Sequence, residues 1–161
     1  MNGIGPALEI RRLDRTLSPL AVELLKAVEN DGDGKFFTPH SFTTKVIEDL
    51  AEKPGQDLYY LLVAGERALA YGLLRGWNEG YAVPSLGLAV SPEVRGIGLG
   101  RLMMEFLHCS ARQQGATRVR LRVHFDNHNA LALYRNLGYQ FDESPDSRSG
   151  LLVGWRDLTT R

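Results

Sequence analysis

Gly96, Gly98 and Gly100 stand at alternate positions between Arg95 and Arg101, just after the small apolar run Leu86-Gly87-Leu88-Ala89-Val90. Glycines spaced this way present successive main-chain N–H groups with no Cβ in front of them. Beyond them Leu99, Leu102, Met103, Phe106 and Leu107 recur at three- and four-residue intervals, the period of a helix buried along one side. The order is strand, glycine-rich turn, helix, and the turn lies where orphan donors and the helix dipole attract an anion. A pyrophosphate suits such a turn; a glycine-rich connection that holds nothing is the plainer alternative. No Lys-Ser or Lys-Thr pair follows Gly100, so the phosphate loop of nucleotide hydrolases is a poor match. A dinucleotide fingerprint fails as well, because no acidic residue lies about twenty positions further on.

Other chemistry-bearing residues read more plainly. Asp31-Gly32-Asp33-Gly34 begins like a calcium loop, but Lys35 stands where an oxygen ligand belongs, Phe36 where glycine belongs and Phe42 where a carboxylate belongs. It reads as a turn, and no metal is expected. Cys109, the single cysteine, permits no intrachain disulfide and reads as a packed thiol in the helix after the glycines. Arg118, Arg120 and Arg122 alternate with Val119, Leu121 and Val123. The apolar set then enters the core, and the arginines share a face that either binds phosphate or is solvated with packed stems.

The elements that position these residues follow from period and punctuation. Residues 1–7 read as a loose end and residues 8–13 as a first strand. Ser18-Pro19 reads as a capping hydroxyl and first-turn proline opening a helix with Leu20, Leu24, Leu25 and Val28 as its stripe. A second helix from Thr43 or Thr44 to about Ala51 follows a connection crowded with Phe36, Phe37, His40 and Phe42. Residues 58–64 and 68–74 form a hairpin about Gly65-Glu66-Arg67, and residues 81–90 form another strand with Pro84 as a bulge or edge irregularity. The third helix runs from about Gly98 to Gln114. A strand over 118–123, a helix capped by Asp126 or Asn127 and ended by Gly138, and strands over 139–142 and 151–158 complete the chain. This is an α/β (α+β) pattern of order β-α-α-β-β-β-α-β-α-β-β, one domain over residues 8–158. Formal net charge is zero, which argues against a nucleic-acid or membrane surface role. With no signal-like start and no apolar run of spanning length, a cytoplasmic setting is expected.

Two stretches carry a resemblance. Arg95-x-x-Gly98-x-Gly100 after a strand, and Asn127-x-x-Ala130-x-x-Leu133-Tyr134 followed by Leu137-Gly138-Tyr139, are similar to the two signatures of the GCN5-related N-acetyltransferase (GNAT) family. The resemblance implies a mixed, mostly antiparallel sheet of six to seven strands flanked by about four helices, and acetyl-CoA as co-substrate. It further implies that Arg95, Gly96, Ile97, Gly98, Leu99, Gly100 and Arg101 wrap the pyrophosphate. Backbone groups of Leu88 and Val90 would hold the pantetheine arm, with the Val90 N–H aimed at the thioester carbonyl. Asn127 and Ala130 belong to the cofactor set, and Tyr134 is the general acid beside the sulfur. Phe36, Phe37 and His40, with Trp77, Glu79 and Ser85, are expected to shape the acceptor pocket.

No carboxylate occupies residues 81–90, where many relatives place a base, so Glu79, His40 and His124 are the candidates. At pH 7 a lysine-like amine is neutral about once in 2,500 molecules and an α-amine-like group near pKa 8 about once in ten. A chain without an evident base therefore points to a small polar amine such as an amino sugar or amino acid. A peptide α-amine and a non-catalytic acyl-CoA-binding domain are the alternatives. An exposed sheet edge leaves room for a homodimer.

Overall fold

The computed structural model describes residues 5–31, 39–53, 55–142 and 144–159. Its elements are β1 (Leu8–Arg12), α1 (Ser18–Asn30), α2 (Thr44–Glu52), β2 (Leu58–Ala64), β3 (Arg67–Arg75), β4 (Ser85–Val90), α3 (Leu99–Gln113), β5 (Arg118–His124), α4 (His128–Asn136), β6 (Gln140–Phe141) and β7 (Leu151–Asp157). That is the order read from the sequence. The strands form one seven-stranded sheet in the order β1-β2-β3-β4-β5-β7-β6, antiparallel throughout except between β4 and β5.

Strand alternation divides the interior into two cores, one on each face. On one face Ala70, Leu74, Leu86, Val119, Leu121, Val123 and Leu152 meet Met103, Met104 and Leu107 of α3 and Leu131 and Tyr134 of α4. On the other, Leu61, Val63, Tyr71, Leu73 and Ala89 meet α1 and Ile47 of α2, and this second core contains no residue of β5 or β7. The β5 arginines lie on that second side.

Several local expectations are corrected. Ser18 does not cap α1; its hydroxyl donates to the Asp14 carbonyl at 3.0 Å, and the Asp14 carboxylate accepts from the Leu17 N–H at 2.9 Å and the Thr16 hydroxyl at 2.6 Å. Those bonds, the Thr16 hydroxyl first, hold the Asp14 carboxyl below its usual pKa. Asp14→Ala is expected to lower stability by about 1 kcal/mol, read as a shift in the urea midpoint. Pro84 is no bulge: β4 begins after it at Ser85, and a register shift lies instead between β2 and β3, where Leu69 of β3 is the extra residue between the pairs Leu62–Ala70 and Val63–Ala68. Cys109 is exposed, because the buried ridge of α3 runs through Met104, His108 and Ala111 and leaves position 109 outside. Leu102 is exposed for the same reason. Phe36, Phe37 and the glycines of the calcium-like turn lie outside the described residues.

Candidate active site

The register of β4 decides which of its backbone groups are spoken for. The Ser91 N–H donates to the Leu69 carbonyl at 2.8 Å, so odd-numbered positions turn their backbone groups toward β3. Leu86, Leu88 and Val90 turn theirs the other way, toward β5. There the parallel ladder consists of the single pair Ser85 and Arg120, with the Arg120 N–H donating to the Pro84 carbonyl at 3.0 Å. Beyond that pair the strands part, and the amides and carbonyls of Leu88 and Val90 face a fork with no strand partner.

At the open end of the fork the chain turns through Pro92–Val94 and the glycines into α3. Gly96 and Gly98 adopt φ of 79° and 94°, a region that favours glycine, and a Cβ on either would meet nothing within 4 Å. Gly98 is the N-cap and supplies no side chain; the first helical bond runs from the Leu102 N–H to the Gly98 carbonyl, leaving the amides of Leu99, Gly100 and Arg101 outside the helical ladder. At Gly100 a Cβ would lie 3.6 Å from Leu133 and from Val90 and 3.7 Å from Leu88. The helix start, the end of β4 and α4 therefore converge. Ile97 is exposed and Leu99 is buried beneath the turn. Arg95 bonds Asp31 at the end of α1 at 2.5 Å. Main-chain donors left over at a helix N-terminus are groups that attract an oxyanion.

Asn127 caps α4, its side chain accepting from the Ala130 N–H at 3.3 Å. That helix buries Tyr134 against the first core, and burial pushes its phenol up to about 12. The hydroxyl bonds no other described residue, so it is available to a bound ligand. Beside it, with rings 5.8 Å apart, lies Tyr139.

Tyr139 belongs to a buried network that the sequence reading missed. Arg156 donates to His108 Nδ1, and His108 Nε2 donates to the Tyr139 hydroxyl at 2.7 Å. Burial, with Arg156 and Arg112 nearby, lowers the His108 pKa to about 3. The available signal was a histidine falling on the buried ridge of α3.

The candidate bases are dispersed. His40 Nδ1 donates to the Ser41 carbonyl and Nε2 accepts from the Tyr71 hydroxyl, both at 2.8 Å. Burial depresses its pKa. Both nitrogens being engaged, it takes an amine proton only after the Tyr71 bond breaks. His124 ends β5 across the fork's mouth from Val90, its Nδ1 accepting from the Asp126 N–H at 3.1 Å. Glu79 and Trp77 lie in a 3-10 turn after β3, which Asn78 ties to the Gln56 and Asp57 amides. That turn and Ser85 mark the closed end of the fork, five strand residues or about 17 Å from Val90. No group of three or more metal-ligating side chains converges among the described residues. None of the described helices is long and apolar enough to cross a membrane.

An open mixed sheet parted between two parallel strands, with a helix N-terminus at the mouth, defines a fold shared with acyltransferases of known structure. The Thermoplasma acidophilum PaiA N-acetyltransferase, solved in complex with coenzyme A, is 14% identical at a TM-score of 0.76, the match covering 94% of this chain and 99% of that one. Escherichia coli ribosomal-protein-S18-alanine N-acetyltransferase is 20% identical at a TM-score of 0.70, covering 96% of each chain. YncA of Salmonella typhimurium, solved with its cofactor acetyl-CoA, is 16% identical at a TM-score of 0.76, covering 94% of each. The sequence profile of the acetyltransferase (GNAT) family matches residues 22–139. The chain belongs to the GNAT family and is an acetyltransferase.

Proposed function

We propose that this protein transfers the acetyl group of acetyl-CoA to a primary amine by direct attack in a ternary complex, the acceptor being a small polar amine. The single observation that carries this reading is the fork: unpaired backbone of Leu88 and Val90, opening at the N-terminus of α3 and flanked by Tyr134. Acetyl-CoA supplies the acyl group already activated as a thioester. The amides from Arg95 to Arg101 bind its diphosphate, with Gly96 and Gly98 leaving room for close approach. Leu88 and Val90 pair with the pantetheine amides as an added strand would, and the Val90 N–H stabilises the developing oxyanion. Asn127 orders the start of α4, which brings Ala130 and Tyr134 to the arm.

The amine attacks the carbonyl carbon, the C–S bond breaks, and Tyr134 donates its proton to the departing thiolate. A phenol raised to about 12 is fully protonated at neutral pH. Cys109 is no acyl carrier: it is exposed on α3, about 15 Å along the helix from Leu99. The amine's own proton goes to water or to one of Glu79, His40 and His124, and an acceptor of low pKa needs least help with it.

Similarity to a ribosomal-protein alanine acetyltransferase supports a second reading, a peptide α-amine as acceptor. Calorimetry with acetyl-CoA, followed by thiol release with amino sugars, amino acids and peptides, tests both. The expected result is 1:1 binding and turnover fastest with a free small amine; absence of binding overturns the proposal, and turnover confined to peptides selects the second reading.

A further inference from the structure

Resting on the acetyl-transfer reading, we infer that the acceptor carries an anionic group, a carboxylate or phosphoryl, bound by Arg120 and Arg75 at the closed end of the fork. The sheet register carries this. Arg75 pairs with Ser85, Ser85 with Arg120, and Arg120 with Trp155, so four strands bring these residues into one transverse row. Alternation puts the whole row on the side of Tyr71 and Ala89, opposite the face that Tyr134 and α3 occupy. At a strand spacing of about 4.8 Å, the two arginines flank the Ser85 hydroxyl at a separation that one anion can bridge.

The amine has to approach from this side. On the other face the fork is packed by Leu133, Gly100 and Tyr134. On this one, the β4 side chains Ser85, Gly87 and Ala89 are small, and the second core stops before β5.

Arg120 is half-buried, its Nε is enclosed, and that N–H has no acceptor among the described residues. Its guanidinium sits 5.5 Å from the Trp155 ring centroid, and no described residue engages its side chain in a hydrogen bond or ion pair. Arginine cannot shed its charge, so a partly desolvated guanidinium without a counter-ion is unfavourable, and the stacked indole offsets only part of that. Arg75 is likewise half-buried; it donates to the Pro39 carbonyl and has no carboxylate partner among the described residues. Glu79 and Asp57 act on Tyr59 nearby, but neither pairs with Arg75. Arg122, next along β5, is exposed, and its charge reaches Asp146. Among the described residues the two half-buried arginines thus have no carboxylate partner, and Ser85 stands between them in the row.

The test uses matched acceptors long enough to span the roughly 10 Å left between a thioester at Val90 and guanidinium groups reaching out from the row, amino-sugar phosphates against their parent amino sugars and long ω-amino acids against their amides, with the whole chain. Acidic members are expected to show kcat/KM about 10- to 100-fold above their neutral partners. Arg120→Gln should abolish that preference through KM, leaving acetyl-CoA affinity and the rate with neutral amines unchanged, and Arg120→Lys should restore part of it. Calorimetry of the acidic amines on the CoA-loaded protein, which needs no turnover, should show the same loss. Equal use of both partners, turnover of neutral peptides alone, or an Arg120→Gln defect shared by every acceptor would overturn the inference while leaving acetyl transfer intact. Failure of acetyl-CoA itself to bind would instead remove the reading beneath it. The preferred anion, carboxylate or phosphoryl, is identified by which matched pair shows the larger ratio.

Discussion

Tyr134→Phe is expected to lower kcat about 10²- to 10³-fold while changing acetyl-CoA affinity less than about threefold. The phenol lies on the α3/α4 side of the fork, and phenylalanine keeps its shape there. Because the hydroxyl bonds no other described residue, its removal strands no buried partner, and the folded state should lose little. Single-turnover thiol release and calorimetry on the same variant separate the chemical step from binding. An unchanged kcat would take Tyr134 out of the mechanism.

The same assignment fixes the pH profile. Burial raises the Tyr134 pKa to about 12, so the donor stays protonated through any pH at which the protein is assayed. From neutral pH upward kcat/KM should climb as the acceptor amine loses its proton, then level off. A falling limb centred near 10 would mean a phenol of ordinary acidity and contradict the buried position.

How much of this was legible in the chain depends on how local the determinant is. The glycines at 96, 98 and 100, the Asn127 cap and the Gly138 stop are set by backbone geometry within a few residues, and the structure has them where the sequence implied. Alternation in 118–123 likewise sent Val119, Leu121 and Val123 inward. Ser18 and Pro84 were misread because each had a competitor close by: the Asp14 carbonyl takes the Ser18 hydroxyl, and the Pro84 carbonyl serves β5 ahead of the strand. Cys109 was misplaced by one helical position, enough to turn a side chain from core to solvent. The fork and the row Arg75, Ser85, Arg120 and Trp155 could not be read at all, since they are products of register between segments far apart in sequence. The His108 network is of the same kind, joining α3, the turn after α4, and β7.

That network makes stability fall between pH 6.5 and 5, earlier than carboxylates alone would allow. In the folded protein His108 is held neutral, with a pKa of about 3, whereas in the unfolded chain it titrates at its ordinary 6.5. The unfolded state therefore takes up the proton first. Above pH 6.5 the full contribution is present; as pH drops from 6.5 toward 3 it is lost, on the order of 2 kcal/mol by pH 5. Asp14 and Asp146 also have depressed values, but they titrate below this window. Urea unfolding at several pH values should show the slope in the native protein. His108→Gln can accept from Arg156 and donate to Tyr139 without titrating, and it should flatten the slope. Equal slopes in the two proteins would mean that His108 is protonated in the fold. Because folded His108 stays neutral down to about pH 3, its bond to Tyr139, which packs against Tyr134, is kept across this window. Near-ultraviolet dichroism from the tyrosines is accordingly expected to hold through this window in the absence of urea and to be lost only with global unfolding.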